Sequence, residues 1–190
     1  MNPLWNDTLS HHSILMDIVG SEKTKNIVEI GVWKCGLTKE ILKTHGDFIA
    51  QYWAIDSWKA INNPENGYEH DMHRYVKMTE QEWDNAYLYA CKLVQFFPQL
   101  HIIRAMSISA SKLFPKEYFD LVFIDADHRY DFILSDIKAW LPLVKKGGLL
   151  TGHDYKIQHK GTMRAVDECF GDNIIIIKNS SVWMHRLGSN

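Results

Sequence analysis

Cysteine is scarce in this chain, basic clusters are absent, and no apolar run approaches the length of a membrane span. Only three of its 190 residues are cysteine. Cys35, Cys91 and Cys169 are odd in number and widely spaced, which argues against a disulfide framework. Residues 1–10 lack the basic start and apolar core of a secretory leader, so a reducing, cytoplasmic compartment is expected. Lysine and arginine number 21 against 23 acidic residues, a net charge of −2. Without a basic run, the electrostatic footprint of a nucleic-acid binder is missing. A bilayer span needs about 20 consecutive apolar residues, which no stretch supplies, so no membrane insertion is expected. Repeats, low-complexity tracts and domain linkers are also lacking. What is present is ordinary globular material, 46% hydrophobic and 23% charged, in a chain long enough to bury one core. A single domain over 1–190 is expected, with an N-terminal helical cap over 1–25 and an insertion over 58–77 that could act as a lid.

Seven apolar runs read as strands: 27–32, 52–56, 101–105, 121–125, 148–151, 174–178 and 182–187. Helical patterns separate the early ones. The order βαβ implies an α/β fold, a Rossmann-like, doubly wound and mostly parallel sheet with helices on both faces. Leu37, Ile41 and Leu42 mark an amphipathic helix stopping at Gly46, and Tyr130, Ile133, Ile137, Trp140, Leu141 and Val144 recur at helical spacing. Thr79-x-x-Glu82 has the form of a capping box opening a helix through Phe97. A last helix is expected over 162–170, closed by Gly171, and a short amphipathic one over 5–19. Runs 174–178 and 182–187 are separated only by Asn179, Ser180 and Ser181, too few residues for a crossover, so they must form an antiparallel hairpin.

The first strand runs into Gly31-Val-Trp-Lys-Cys-Gly36, a glycine turn opening a helix. A dinucleotide fingerprint is G-x-G-x-x-G, whose middle glycine lets the backbone approach a pyrophosphate. Here Gly31 and Gly36 hold the outer places and Trp33 the middle one, which argues against a pyrophosphate. The loop suits a nucleoside ligand with no phosphates, held by Glu29 before the turn and by Asp56 at the end of the next strand. S-adenosylmethionine is such a ligand.

With the block Phe119-Asp-Leu-Val-Phe-Ile-Asp125-Ala-Asp127-His128-Arg-Tyr130 and the later Gly147-Gly148-Leu-Leu-Thr-Gly-His153-Asp154-Tyr155, the chain resembles a class I S-adenosylmethionine-dependent methyltransferase. It is most similar to the small-molecule O-methyltransferases of the macrolide-sugar and cephalosporin type, more distantly to catechol O-methyltransferase. The resemblance implies that Glu29 and Gly31 border the methionine part of the cofactor, together with the loop residues Trp33 and Gly36. It implies that Asp56 accepts hydrogen bonds from the ribose hydroxyls, that Ser57, Trp58, Met106 and Ser107 pack beside the adenine, and that Asp125 lines the same site. Asp125, His153 and Asp154, at the ends of the fourth and fifth strands, are candidate ligands for a divalent metal, Mg²⁺ or Mn²⁺, or orient one another without one. The family usually carries an acid where this chain has His153, a nitrogen ligand that suits Mn²⁺, Fe²⁺ or Zn²⁺ better than Mg²⁺. His128 stands where the family positions a base, and a neutral imidazole is available near pH 7. Asp127 is the rival base.

Two other functions fit parts of this pattern. Gly31, Gly36 and the acid on the second strand would serve an NAD(P)-dependent oxidoreductase, and a non-catalytic cofactor-binding protein would keep the loop alone. A hydroxylated small molecule is the expected partner, with no nucleic acid and no membrane, and a homodimer is the expected assembly for a soluble enzyme. His70, Asp71 and His73 could form a metal cluster but lack a helical frame and read as lid chemistry. His11 and His12 read as exposed. Cys35 reads as a buried filler, and Tyr130 and Tyr155 as residues that pack or shape the pocket.

Overall fold

The computed structural model describes residues 9–60 and 77–188. Its elements in chain order are α1 (His11–Glu22), β1 (Asn26–Ile30), α2 (Gly36–His45), β2 (Gln51–Asp56), α3 (Glu80–Leu93), β3 (Leu100–Arg104), α4 (Ser107–Ser111), β4 (Phe119–Ile124), α5 (Tyr130–Trp140), β5 (Val144–Gly152), α6 (Lys160–Phe170), β6 (Ile175–Ile176) and β7 (Trp183–Arg186). These strands form one sheet in the order β3-β2-β1-β4-β5-β7-β6. β1 pairs in parallel with both β2 and β4, whereas β7 runs antiparallel between β5 and β6. The expected doubly wound sheet with a C-terminal hairpin is the observed one.

Alternation along the strands sends side chains to two cores. Ile27, Tyr52, Ala54, Leu121, Phe123 and Leu149 pack against the apolar faces of α1, α2 and α3. Val28, Ile30, Ile55, Val122, Ile124 and Leu150 pack on the other side against α4, α5 and α6. Burial of both faces explains why β1 and β4 read as nearly continuous apolar runs. The Thr79–Glu82 capping box forms in full, each side chain satisfying the other residue's amide.

Several boundaries differ from expectation for local reasons. α5 stops at Trp140, because Pro142 lacks the amide a continuing helix needs. Leu141–Leu143 form a 3₁₀ turn, and Val144 starts β5. α3 ends at Leu93, and the amides of Phe96 and Phe97 fold back onto the Leu93 carbonyl. β6 shrinks to two residues, while α4 was not foreseen, its five residues carrying too little periodicity. Residues 61–76, and with them His70, Asp71, His73 and most of the expected insertion, lie outside the described residues, as does Trp5. Among the described residues, no helix is long and apolar enough to cross a membrane.

The sheet order reverses between β1 and β4, and Gly31 occupies that point. Its φ is +90°, and a Cβ there would lie 2.3 Å from the Asp125 carbonyl oxygen and 2.7 Å from Ala126 Cα. The Gly31 amide donates to the Ile55 carbonyl at 2.8 Å, and the Asp125 amide donates to Ile30 at 2.8 Å. This glycine therefore lets three strand ends converge. Gly31→Ala should destabilise the fold by about 1–3 kcal/mol or more, the usual cost of overpacking with added backbone strain. Chemical denaturation checks this, and an unchanged midpoint would refute the close approach.

Candidate functional site

The loop after β1 is braced from below and from the side. Glu29 is buried, and its Oε2 accepts hydrogen bonds from Thr38 Oγ1 and Tyr52 Oη, both at 2.6 Å. It sits beneath the turn, enclosed by α2 and β2. Burial pushes its pKa up to about 7, its two hydrogen bonds pull the other way, and the nearby Asp125 and Asp56 raise it further. Asp56 ties the loop to β2: its Oδ2 accepts from the Trp33 amide and its Oδ1 from the Trp58 amide, both at 2.9 Å. Each oxygen keeps a second lone pair for an incoming hydroxyl. Trp33 and Cys35 adopt φ of 45° and 53°, left-handed values that only a tightly held non-glycine residue keeps. Cys35 is fully buried and its thiol is pushed far up by that burial, as expected of a filler.

Two residues expected beside the adenine face elsewhere. Trp58 is 0% exposed and its Nε1 donates to the Trp33 carbonyl at 2.8 Å, so it is a strut inside the core rather than a stacking surface. Ser107 Oγ accepts from Trp140 Nε1 at 2.8 Å and also hydrogen-bonds Asp136, whose burial pushes its pKa up to about 6 against that bond. That hydroxyl points into the α4–α5 packing. Met106 is 56% exposed at the end of β3, and Ser57 lies on the rim, its carbonyl near Arg104 Nε at 3.4 Å. Gly36 opens α2 with its Cα facing His12.

Across the switch point, the ends of β4 and β5 bring a second set together around Asp154. His128 Nε2 lies 2.7 Å from Asp154 Oδ2, and His153 Nδ1 lies 3.3 Å from the same oxygen and 3.4 Å from Asp125 Oδ1. Lys156 Nζ and His159 Nε2 approach Asp154 Oδ1 at 2.8 and 3.5 Å. Burial alone would raise the Asp154 pKa. The hydrogen bonds from His128 and His153 outweigh it and hold the carboxyl well below the usual range. For His153, burial alone would lower the pKa, but hydrogen bonds to Asp125 and Asp154 push it up to about 10. His153 is then an imidazolium whose Nε2 donates to Ser181 Oγ at 3.0 Å.

His159, Lys156, Ser181 and His11 were not foreseen at this site. His159 arrives because α6 packs closely: a Cβ on Gly161 would sit 2.5 Å from the His128 carbonyl oxygen. His11, expected in solvent, instead lies with its ring centroid 4.3 Å from that of His153 and its Nε2 3.8 Å from Asp125 Oδ2. Burial lowers its pKa against the pull of Asp125, which disfavours the charged ring. Nothing in its local sequence distinguishes it from His12, which pairs with Glu40 at 2.8 Å. Asp127, the rival base, is bound by Arg129 through three side-chain contacts of 2.6–3.1 Å. Tyr155 and Tyr130 hydrogen-bond Asp167 and Glu168 on α6. Among the described residues, two overlapping sets have ligand atoms within 4.8 Å of one another, Asp125–His153–Asp154 and His128–Asp154–His159. The first is the expected metal triad, and its two carboxylates and one imidazole fit a divalent cation once His153 loses its proton.

Comparison with known proteins gives a family and several structures of the same fold. A family described as a methyltransferase domain matches residues 28–155. The O-methyltransferase NovP superposes with a TM-score of 0.64 at 19% identity, covering 94% of this chain and 78% of that one. The calicheamicin methyltransferase CalS11 gives 0.64 at 12%, covering 95% and 82%. The methyltransferase PaMTH1 from Podospora anserina, solved with S-adenosylhomocysteine, gives 0.61 at 14%, covering 100% and 83%. A search of curated proteins found no sequence match.

The raised Glu29 pKa has a measurable consequence. The folded state binds this proton more tightly than the unfolded chain, so the stability Glu29 contributes is fully present below about pH 4.5 and is lost as pH rises to about 7. The difference amounts to about 3 kcal/mol. The stability gap between wild type and Glu29→Gln should therefore shift by that order against the wild type between pH 4.5 and 7.5. Parallel denaturation curves across this window would show that Glu29 is not held protonated.

Proposed function

The chain belongs to the methyltransferase-domain family, and from that membership we propose that it moves the methyl group of S-adenosylmethionine onto a hydroxyl of a small molecule, with His128 as the base. The observation that carries the reading is the meeting of two half-sites at the β1/β4 switch point, where ligands of such sheets bind. One half is the Gly31–Gly36 loop with Asp56; the other is the cluster around Asp154. The final antiparallel pair and Trp33 in place of a pyrophosphate glycine favour this reading over a nicotinamide-dependent oxidoreductase. A small-molecule acceptor is supported by the absence of a basic run, and by the names of NovP and CalS11, which describe those proteins as methyltransferases.

Bound S-adenosylmethionine supplies a methyl group on a positively charged sulfur. In the transfer, an acceptor oxygen lone pair forms the C–O bond, the C–S pair returns to sulfur as a neutral thioether, and the hydroxyl proton must leave. Asp56 would receive the ribose hydroxyls, and Glu29 and Gly31 would fix the turn beside the methionine moiety. Asp154 accepts from His128 Nε2, which sets the tautomer with the lone pair on Nδ1 and stabilises the imidazolium formed when the proton arrives. Asp127 is a weaker candidate, its carboxylate being neutralised by Arg129. His128→Ala should lower kcat about 100-fold or more on an accepted substrate, the typical contribution of a general base, while S-adenosylhomocysteine affinity is retained. Full turnover in that variant would remove His128 from the mechanism.

A second reading is supported by the partial burial of His128, whose Nδ1 has no solvent-accessible surface in this conformation. Asp125 is more open, with 22% of its side chain exposed against 14% for His128. Together with His153 and Asp154 it would hold a divalent ion, which lowers the pKa of a coordinated hydroxyl and so shares the base's task. Dialysis against a chelator decides between the two: under metal assistance activity falls and returns with Mn²⁺ or Mg²⁺, and unchanged activity leaves His128 acting without a metal.

A further inference from the structure

At the opposite pole of the sheet, where β1, β4 and β5 begin, lies a cleft of about 480 Å³. Lys23, Thr24 and Lys25 line it between α1 and β1, Lys145 and Lys146 line it at the start of β5, and Asp120 joins the two walls. Both acids at the cleft already have partners. Asp120 accepts from Lys145 Nζ at 2.6 Å and from the Lys25 and Asn26 amides at 3.0 and 2.7 Å. Glu22 is paired with Arg186 at 2.6 Å. Lys23 leans over the Phe48 ring, 4.8 Å from its centroid. Lys25 and Lys146 are exposed, and among the described residues neither has an ion-pair partner. A concave surface with cations left over focuses positive potential, even in a chain of net charge −2.

A second, independent feature points the same way. Thr24 is 4% exposed, and its Oγ1 has no hydrogen-bond partner. Leaving a buried hydroxyl unsatisfied is unfavourable, and a turn of the Thr24 side chain toward the cleft would let an anion there accept from it. The walls are also preformed. Arg186 clamps the Gly147 carbonyl at 2.8 Å as well as Glu22, and the β4–β5 pairing shifts register between Phe119 and Leu121, which sets the Lys145–Lys146 segment out from the ladder.

We propose that this cleft binds a small ligand through a phosphate or pyrophosphate group, at a site separate from methyl transfer. Two unpaired ammonium groups exceed a carboxylate's single charge and match the charge of phosphate. The small volume of the cleft selects a small molecule over a nucleic-acid chain.

The test uses the full chain, with inorganic pyrophosphate as the probe, followed by amide chemical shifts at fixed ionic strength. Saturable shifts are expected at Thr24, Lys25, Asn26 and Gly147. Lys25→Gln combined with Lys146→Gln should weaken binding at least about tenfold, the equivalent of one charge-assisted hydrogen bond. Thr24→Val should weaken it less. The double substitution changes exposed side chains only, so fold and S-adenosylhomocysteine binding should be unchanged. Shifts that do not saturate, shifts centred on the Gly31 loop, or wild-type affinity in the double variant would each overturn the proposal.

Discussion

The carboxylate of Asp154 organises the chemical end of this protein. A buried ion without partners is costly, and losing one partner of a buried pair typically costs about 3–5 kcal/mol. Here two imidazoles, a lysine and a third histidine converge on its two oxygens. The residues that could act on an acceptor are thus held by one anion, and the cost of burying that anion is met by the same residues. Its backbone φ of 60° belongs to the left-handed region that Asp and Asn tolerate better than other side chains. An aspartate therefore suits both the turn and the charge.

The other half of the site depends on backbone closeness more than charge. Because Gly31 has no side chain, β1 and β4 end side by side, and the β1–α2 loop, which carries Trp33 and is tied to Asp56 and Trp58 at the end of β2, comes to rest against Asp125. The three bonds among Asp56, Trp33 and Trp58 brace the loop before any ligand arrives, and such preorganisation lowers the ordering cost of binding. Trp33, which replaces a fingerprint glycine, is then part of the support. Its backbone amide is held by Asp56, and its backbone carbonyl anchors the buried Trp58.

How much of this was legible in the sequence follows from the range of each interaction. Periodicity sees one element at a time, so the sheet, its direction and the closing hairpin were readable, and so was the Thr79–Glu82 box. The helix end at Trp140 was misplaced because Val144 keeps helical phase across Pro142, and only the proline's missing amide decides the issue. Asp125, His128, His153 and Asp154 stand next to strand ends, where the topology rule directs attention, and the structure brings them together. His159 and His11 reach the cluster through the packing of α6 and α1, which no local pattern encodes. Trp58 and Ser107 were read from their place after a strand, but the direction of their side chains is set by tertiary hydrogen bonds to Trp33 and Trp140.

Under the proposed function the two half-sites make separable contributions: the loop and Asp56 would grip the thioether nucleoside, and Asp154 would arrange the groups that act on the acceptor. Calorimetric titration of S-adenosylhomocysteine into the wild type and into Asp154→Asn tests that division without knowledge of the acceptor. The account expects one equivalent bound by each, with affinities within about threefold of one another, a difference under 1 kcal/mol. A wild type that shows no saturable binding would contradict it.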